Sequence, residues 1–307
     1  MSFHGYWAYG LRIHAELECP ELPALQDESA EPDVTIHLLP AADHIPELTV
    51  SRRFHVQPGL FQLRVPETAL YCVEDGKRIF ITPFSGASMD KVRLFLLGST
   101  LGALLYQRGL FPLHGSAVET PWGAMVFVGA QGVGKSTLAA EFHRKGYRLL
   151  SDDVCAVEST PDGLQVLPAL SHIRLCPDAY DRLGTPQNAR FDVDKFLFPM
   201  GDGYCPDPLP LCAIHILGNH EGEVPEYHNL RGMDRVVYLL GNLYRRRYLQ
   251  GQDTQGALMR MAGEIAEKCT IATVSRRRDP ESIHKLVEFL ELEWAERFVA
   301  TPLKEMV

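Results

Sequence analysis

A glycine-rich run that ends in lysine, serine and threonine has the residue types and the spacing of a phosphate-binding loop. Residues 129–137 fit the pattern Gly-x-x-x-x-Gly-Lys-Ser. Glycines are needed there because backbone N–H groups must curl round a phosphate, and a Cβ atom would obstruct both the curl and the approach of the ligand. The predicted nucleotide-binding residues are Gly129, Ala130, Gln131, Gly132, Val133, Gly134, Lys135, Ser136 and Thr137.

Lys135 and Ser136 supply charge and a metal ligand at the end of this run. Lys135 is predicted to reach the β and γ phosphates, so it is a candidate catalytic residue, and we expect it to be exposed when no ligand is bound. Ser136 lies in the first turn of the predicted helix that follows, where its hydroxyl can coordinate Mg²⁺. The predicted cofactors are therefore ATP and Mg²⁺, although the motif does not distinguish ATP from GTP.

Two adjacent acids, Asp152 and Asp153, are candidates for the acidic roles in phosphoryl transfer. Seventeen positions separate Lys135 from Asp152, enough for a helix of about three turns, a turn at Gly146 and a return strand. A right-handed crossover would place that strand beside the one before the loop, with both acids at its carboxyl edge. One carboxylate would then face Mg²⁺ and the other an incoming hydroxyl. The alternative is a solvated pair that caps a strand.

His114 lies in an apolar stretch fifteen positions before Gly129. A histidine in such a strand is usually a core residue with its hydrogen bonds satisfied. Here, a hairpin through Gly123 would bring it alongside the phosphate loop, so we treat it as a candidate catalytic residue.

The elements that must position these residues follow from the hydrophobic patterns. Beyond residue 111, apolar strands alternate with helices, which predicts an α/β fold. The predicted strands are 113–118, 124–128, 148–150, 154–157, 211–217 and 270–274, and the predicted helices are 135–145, 232–248, 254–267 and 281–298. The segment 184–210 has little periodicity and predicts a long loop, a candidate lid over the site.

The first part of the chain shows short strand patterns instead. They cover 33–39, 52–56, 60–65, 70–73 and 78–82, and a helix pattern follows over 89–107. We therefore predict a smaller β-rich N-terminal domain over 1–95, which ends at a connecting helix, and a nucleotide-binding domain over 96–307.

Composition excludes several classes of protein. The chain has 307 residues and a net charge of −9, which argues against nucleic acid as a partner. The most apolar run, 92–106, is shorter than the roughly 20 residues that a membrane helix needs, and no secretory signal is evident. The seven cysteines are odd in number and widely spread, so we expect reduced thiols and a cytoplasmic location. A homo-oligomer remains open.

The residues described so far resemble the HPr serine kinase/phosphorylase family, in the phosphoenolpyruvate-carboxykinase-like branch of phosphate-loop folds. The resemblance runs from His114-Gly115 through the loop to the run Gly-Tyr-Arg-Leu-Leu-Ser-Asp-Asp at 146–153. It implies that Asp152 is the base for a serine hydroxyl, that Asp153 and Ser136 hold Mg²⁺, and that His114 tunes Asp152. The family's Gly-rich second signature is not found after Asp153, so the resemblance does not extend to phosphorylase activity or to HPr as the acceptor.

The layout of the whole chain is more similar to the HPr-kinase-like proteins of lasso-peptide gene clusters. This similarity rests on Tyr9-Gly10-Leu11-Arg12-Ile13, Ile173-Arg174-Leu175 and Asp194-Lys195. It implies a kinase for the C-terminal serine of a precursor peptide.

The basic residues add two open questions. Arg174 and Lys195 are candidate contacts to phosphate or substrate. The runs 245–247 and 276–278 are each three arginines, and they are either solvated surface or contacts to phosphates or a peptide carboxylate. The leading hypothesis is an ATP-dependent serine kinase for a peptide or small protein. The alternatives are a small-molecule phosphotransferase and a nucleotide-hydrolysing regulatory switch.

Overall fold

The computed structural model describes residues 3–27, 30–40, 53–177, 179, 190–192, 195–249, 254–279 and 281–298. These residues form a mixed α/β structure in which the strands gather into three sheets. The chain divides into two compact units. One comprises Met1–Pro112 with Tyr244–Arg260, and the other comprises Leu113–Leu243 with Met261–Val307. The domain boundaries expected from the sequence, 1–95 and 96–307, stay a prediction.

The first unit contains a seven-stranded sheet with the order β1-β2-β3-β7-β6-β5-β4. Its strands are β1 (His4–Ala8), β2 (Leu11–Ala15), β3 (Val34–Leu38), β4 (Phe54–Gln57), β5 (Leu60–Val65), β6 (Ala69–Glu74) and β7 (Arg78–Pro83). Strand β3 is parallel to both of its neighbours, and the other pairings are antiparallel. A tight turn joins β6 and β7, with positive φ at Asp75 and Gly76.

The helix predicted over 89–107 is present as α1 (Met89–Phe95), a π-helical segment (Leu96–Thr100) and α2 (Leu101–Gln107). Gly109 follows it with a φ of 76°, which suits the left-handed residue that often ends a helix. In the same unit the Tyr106 hydroxyl donates a hydrogen bond to the carbonyl of Tyr244 at 2.6 Å. The Tyr71 hydroxyl of β6 donates to the carbonyl oxygen of Val92 in α1 at 3.0 Å, so this helix lies directly against the sheet.

The second unit contains an eight-stranded sheet and a three-stranded sheet. Their strands are β8 (Phe111–Thr120), β9 (Gly123–Gly129), β10 (Leu149–Ser151), β11 (Val154–Thr160), β12 (Gly163–Leu167), β13 (His172–Leu175), β14 (Arg190–Asp192), β15 (Lys195–Pro199), β16 (Leu209–Asn219), β17 (Glu226–Asn229) and β18 (Thr270–Arg276). The helices beyond Gln107 are α3 (Lys135–Arg144), α4 (Met233–Gly241), α5 (Gln255–Lys268) and α6 (Ser282–Arg297). A stack of Phe127, Phe142 and Trp294 joins β9, α3 and α6 in the core.

Two predicted elements differ from the structure. The helix predicted over 232–248 ends at Gly241, because the chain then leaves the helix to pair with the start of β8: Leu243 forms a bridge with Leu113. A short 3-10 helix, Arg246–Leu249, follows in the first unit. The segment 184–210, predicted to be a loop, contains β14, β15 and a 3-10 turn at Gly201–Gly203, and residues 184–189, 193 and 194 lie outside the described residues.

None of the helices in the described part of the chain combines the length and the apolar composition that a membrane-spanning helix requires.

Candidate functional site

The strand order around the phosphate loop differs from the predicted crossover. Strand β10 does not pair with β9, because β8 lies between them and is antiparallel to both. Strands β9 and β10 therefore still run in the same direction. Gly115 of β8 is paired with Val128, and Ala117 is paired with Ser151. The amino-terminal half of β8 thus lies at the same sheet edge as the carboxyl ends of β9 and β10.

The glycine run lies between the end of β9 and the start of α3. Gly129, Gly132 and Gly134 have φ values of 141°, 79° and 102°, which favour glycine. A Cβ atom on Gly129 would lie 2.8 Å from the carbonyl oxygen of Leu217, so the close approach of β16 also requires a glycine there. Gly134 is the N-cap of α3, and the loop therefore presents backbone N–H groups at the positive end of that helix.

Lys135 is buried, contrary to the expectation that it is exposed without ligand. Its Nζ donates hydrogen bonds to the carbonyl oxygens of Gly129 (3.0 Å) and Ala130 (3.2 Å), so the side chain folds back over its own loop. This burial lowers the pKa of Lys135, while the carboxylates of Asp152 and then Asp153 act in the opposite direction. The ammonium group is therefore held at the loop by carbonyl oxygens and faces two carboxylates.

Asp152 is a buried carboxylate that is fixed by two donors. The Ser116 hydroxyl donates to its Oδ1 at 2.6 Å, and the backbone N–H of Arg174 donates to its Oδ2 at 3.0 Å. Only 3% of the residue is exposed. This geometry holds the carboxylate in one orientation and leaves it little contact with solvent.

Asp153 and His114 form a second, more open group. The Nδ1 of His114 lies 3.1 Å from the backbone oxygen of Asp153 and 3.5 Å from its Oδ1. Because a carbonyl oxygen can only accept, Nδ1 carries the proton. Burial is the main cause that lowers the pKa of His114, and Lys135 lowers it further, so the imidazole is neutral at pH 7. About a third of each side chain is exposed.

His114 was predicted to tune Asp152, and the structure places it against Asp153 instead. The physical reason lies in the turn between β10 and β11, where Asp153 has a φ of 68°. That left-handed conformation, which aspartate tolerates, brings the Asp153 carbonyl within reach of the Gly115 N–H at 3.3 Å and of His114. The two acids consequently have different surroundings: Asp152 contacts Ser116 and Arg174, and Asp153 contacts His114.

Arg174 and Lys195 belong to the three-stranded sheet β13-β15-β14, and both lie near the acids and the loop. The backbone of Arg174 contacts Asp152 directly. The charge of Lys195 contributes to the lowered pKa of Lys135. Asp194, which was grouped with Lys195, lies outside the described residues.

Ser116 is a site residue that the sequence analysis missed. It is fully buried and lies two positions after His114 on β8, so both side chains project from the same face of the strand. The sequence signal for Ser116 is its spacing. In a strand, a polar residue two positions after His114 lies on the same face as His114.

The residues around the loop fit Mg²⁺ by their chemistry. A serine hydroxyl and two carboxylates offer the hard oxygen donors that this ion prefers. Among the described residues, no group of three or more His, Cys, Asp or Glu side chains is arranged to hold a metal on its own.

Comparisons with known proteins give a distant similarity only. No protein-family model matches the sequence. No curated protein matches it either. Among solved structures, the HPr(Ser) kinase/phosphatase from Coxiella burnetii is similar at 15% sequence identity and a TM-score of 0.33, over 59% of this chain and 97% of that chain. At this level of similarity the comparison carries no argument about activity, and the function must be inferred from the site itself.

Proposed function

We propose that this protein is an ATP- and Mg²⁺-dependent kinase that transfers the γ-phosphate to a serine hydroxyl of a peptide or small protein. The proposal rests on one observation: a glycine loop with its lysine, and a partly exposed aspartate beside a neutral histidine, lie at the same sheet edge. Phosphoryl transfer needs cationic and N–H groups for the phosphates and a proton acceptor for the attacking hydroxyl. This edge offers both.

On the phosphate side, the loop N–H groups and Lys135 bind the polyphosphate. A bound Mg²⁺ would supply positive charge against the phosphate oxygens during transfer. We propose Ser136 and Asp152 as its protein ligands. Among the carboxylates, Asp152 has the larger effect on the Lys135 pKa, which supports its position on the phosphate side.

On the acceptor side, we propose that Asp153, supported by His114, takes the proton of the attacking hydroxyl. This exchanges the roles that the family resemblance implied, in which Asp152 was the base and Asp153 the metal ligand. The reason is access. The hydrogen bonds to Asp152 hold its carboxylate in one orientation and leave a lone pair on each oxygen for a metal ion. Asp153 is about a third exposed, so a hydroxyl can reach it, and its carboxylate has the largest charge effect on His114 after that of Lys135.

We propose a peptide acceptor rather than a small metabolite because α4, the helix that leads into the residue paired with His114, carries an exposed apolar surface. Met233 and Val237 lie one helical turn apart on α4, and both side chains are largely exposed. The helix ends at Gly241, and the next residue, Asn242, accepts a hydrogen bond from the His114 N–H at 2.8 Å. Apolar residues beside the target serine of a peptide could bind there. The C-terminal serine of a lasso-peptide precursor stays a prediction from the sequence alone.

The test is to incubate the protein with Mg-ATP and a panel of serine peptides, then a panel of hydroxylated metabolites, and to identify products by mass spectrometry. Phosphoserine in peptides supports the proposal. Phosphorylation of a metabolite alone favours the small-molecule phosphotransferase, and release of phosphate alone favours the nucleotide-hydrolysing switch. Val237→Ser should raise the KM for peptide without changing the KM for ATP. The matched control is Leu292→Ser, an equally exposed leucine on α6.

A further inference from the structure

Arg276, the last residue of β18, lies at the phosphate loop. A Cβ atom built on Gly134 would be 3.1 Å from the Nη2 of Arg276. The strand register explains this proximity, because β9, β16 and β18 are parallel. Gly129 is paired with Leu217, and Leu217 is paired with Val274, so all three strands bring their carboxyl ends to the edge where the loop begins.

The guanidinium of Arg276 is anchored at one end. Its Nη1 donates to the backbone oxygens of Arg277 (2.9 Å) and Asp279 (3.2 Å) and to the hydroxyl of Ser282. These contacts fix the plane of the guanidinium group, and its Nη2 lies on the side of Gly134. A planar guanidinium that is held in place loses little freedom when it binds an anion, and it matches phosphate oxygens better than an ammonium group does.

The other arginines of the same run have different surroundings. Arg277 and Arg278 are exposed, and Arg277 lies near the carboxylates of Glu223 (4.0 Å) and Asp279 (3.7 Å). The run therefore does not act as a uniform basic surface. Among the described residues, Arg276 is the one whose side chain lies within 4 Å of a Cβ atom built on Gly134.

We propose that Arg276 binds the polyphosphate chain of the nucleotide, as a cation of the loop in addition to Lys135. The inference rests on the proposed nucleotide site and deepens it. Two consequences follow. Arg276 should contribute to the affinity for any Mg-polyphosphate, with or without a nucleoside, and Arg277 should not.

The experiment is titration calorimetry of the full-length protein with Mg-ATP and with Mg-tripolyphosphate. For Arg276→Gln we expect the Kd of both probes to rise at least about tenfold and by a similar factor, because a charged hydrogen bond is lost. The matched control Arg277→Gln should stay within about twofold of the wild type. Circular dichroism checks that each variant folds.

Several results would overturn the inference, and they can be told apart. If the wild type binds both probes and Arg276→Gln binds them equally well, Arg276 is not a polyphosphate contact, while the nucleotide site stands. A loss for Mg-ATP but not for Mg-tripolyphosphate would assign the contact to the nucleoside. If the wild type binds neither probe, the proposed function itself fails.

If Arg276→Gln does not fold, Arg276→Lys serves in its place. Lysine keeps the positive charge but lacks the planar guanidinium group. It cannot make the anchoring contacts and reach the loop at the same time, so the Kd of both probes should still rise several-fold. An unchanged Kd for this variant would contradict the proposal.

Discussion

The imidazole of His114 lies beside Asp153, with its Nδ1 3.5 Å from the Oδ1 of that carboxylate. The neighbouring carboxylate, Asp152, accepts hydrogen bonds from Ser116 and from the backbone of Arg174. Adjacent acids therefore have separate surroundings, one buried and fixed and the other open and next to a neutral imidazole. This separation is the basis for assigning them different roles.

Asparagine substitutions should separate the two roles. Asp153→Asn should keep the affinity for Mg-ATP and reduce kcat by about 10² to 10⁴-fold, because an amide cannot accept the proton. Asparagine tolerates the left-handed conformation at this position, so the fold should survive. Asp152→Asn should weaken Mg²⁺-dependent ATP binding. Titration calorimetry and turnover assays measure both effects, and the opposite pattern would restore Asp152 as the base.

Lys135→Ala should abolish phosphoryl transfer, because it removes the charge that engages the β and γ phosphates. Since Lys135 is buried against the carbonyls of Gly129 and Ala130, this change cannot be treated as a surface substitution, and thermal unfolding must be measured alongside activity. Lys145→Ala, which removes an exposed lysine at the end of the same helix, is the control and should retain full activity. Undiminished transfer by Lys135→Ala would disprove the site.

Gly115→Ala should disturb both the stability and the site. A Cβ atom there would lie 2.5 Å from the backbone oxygen of Phe127, so β8 would have to shift against β9. We expect the free energy of unfolding to fall by about 1–3 kcal/mol. Turnover should fall too, because His114 and Ser116 flank this residue.

The matched control for that substitution is Gly263→Ala in α5, where no atom lies within 4 Å of the added Cβ. It should raise the free energy of unfolding by about 0.5–1 kcal/mol. Urea titrations of both variants measure the difference. Equal stabilities would contradict the packing described for β8.

Acid should destabilise the protein through His215. This residue is fully buried, accepts a hydrogen bond from the Trp294 indole at 3.2 Å, and burial lowers its pKa to about 3. The unfolded chain, with a histidine pKa of about 6.5, takes up the proton first as the pH falls. The contribution of His215 is therefore complete above about pH 6.5 and declines as the pH falls towards 3, by about 2 kcal/mol at pH 5.

Urea unfolding at pH 7.5 and pH 5 tests this prediction in the wild type and in His215→Gln, whose amide oxygen can still accept from the indole. The variant should lose less stability between the two pH values. If His215→Gln loses as much unfolding free energy between pH 7.5 and pH 5 as the wild type does, His215 does not titrate in this way.

The sequence predicted most of the helices and strands that position the candidate site. The motif at 129–137 and the hydrophobic periods placed β9, α3, β18 and α6 close to their observed bounds. Local patterns could not predict which strand lies next to β9. The insertion of β8 between β9 and β10 depends on pairing between distant residues, and it determines that His114 meets Asp153.

Two further features were beyond local patterns. The sequence left open whether the run that begins at Arg276 is solvated surface or contacts phosphates, and the parallel register of β16 and β18 brings Arg276 to Gly134. The strands β14 and β15 lie in a segment rich in glycine and proline, and β15 also pairs with β13, where Phe196 is opposite Leu175, a residue distant in the sequence. Turns and motifs depend on neighbouring residues and could be predicted from the sequence. The order of strands in a sheet depends on distant residues and could not.

The central claim is that the γ-phosphate of ATP moves to a serine hydroxyl, and the most direct measurement follows that phosphate. The full-length protein is incubated with [γ-³²P]ATP, Mg²⁺ and matched peptides that carry serine or alanine at one position. The account predicts label in the serine peptide, none in the alanine peptide, and loss of labelling with Lys135→Ala and Asp153→Asn. Label that appears only as inorganic phosphate, or that reaches the alanine peptide equally, would contradict it.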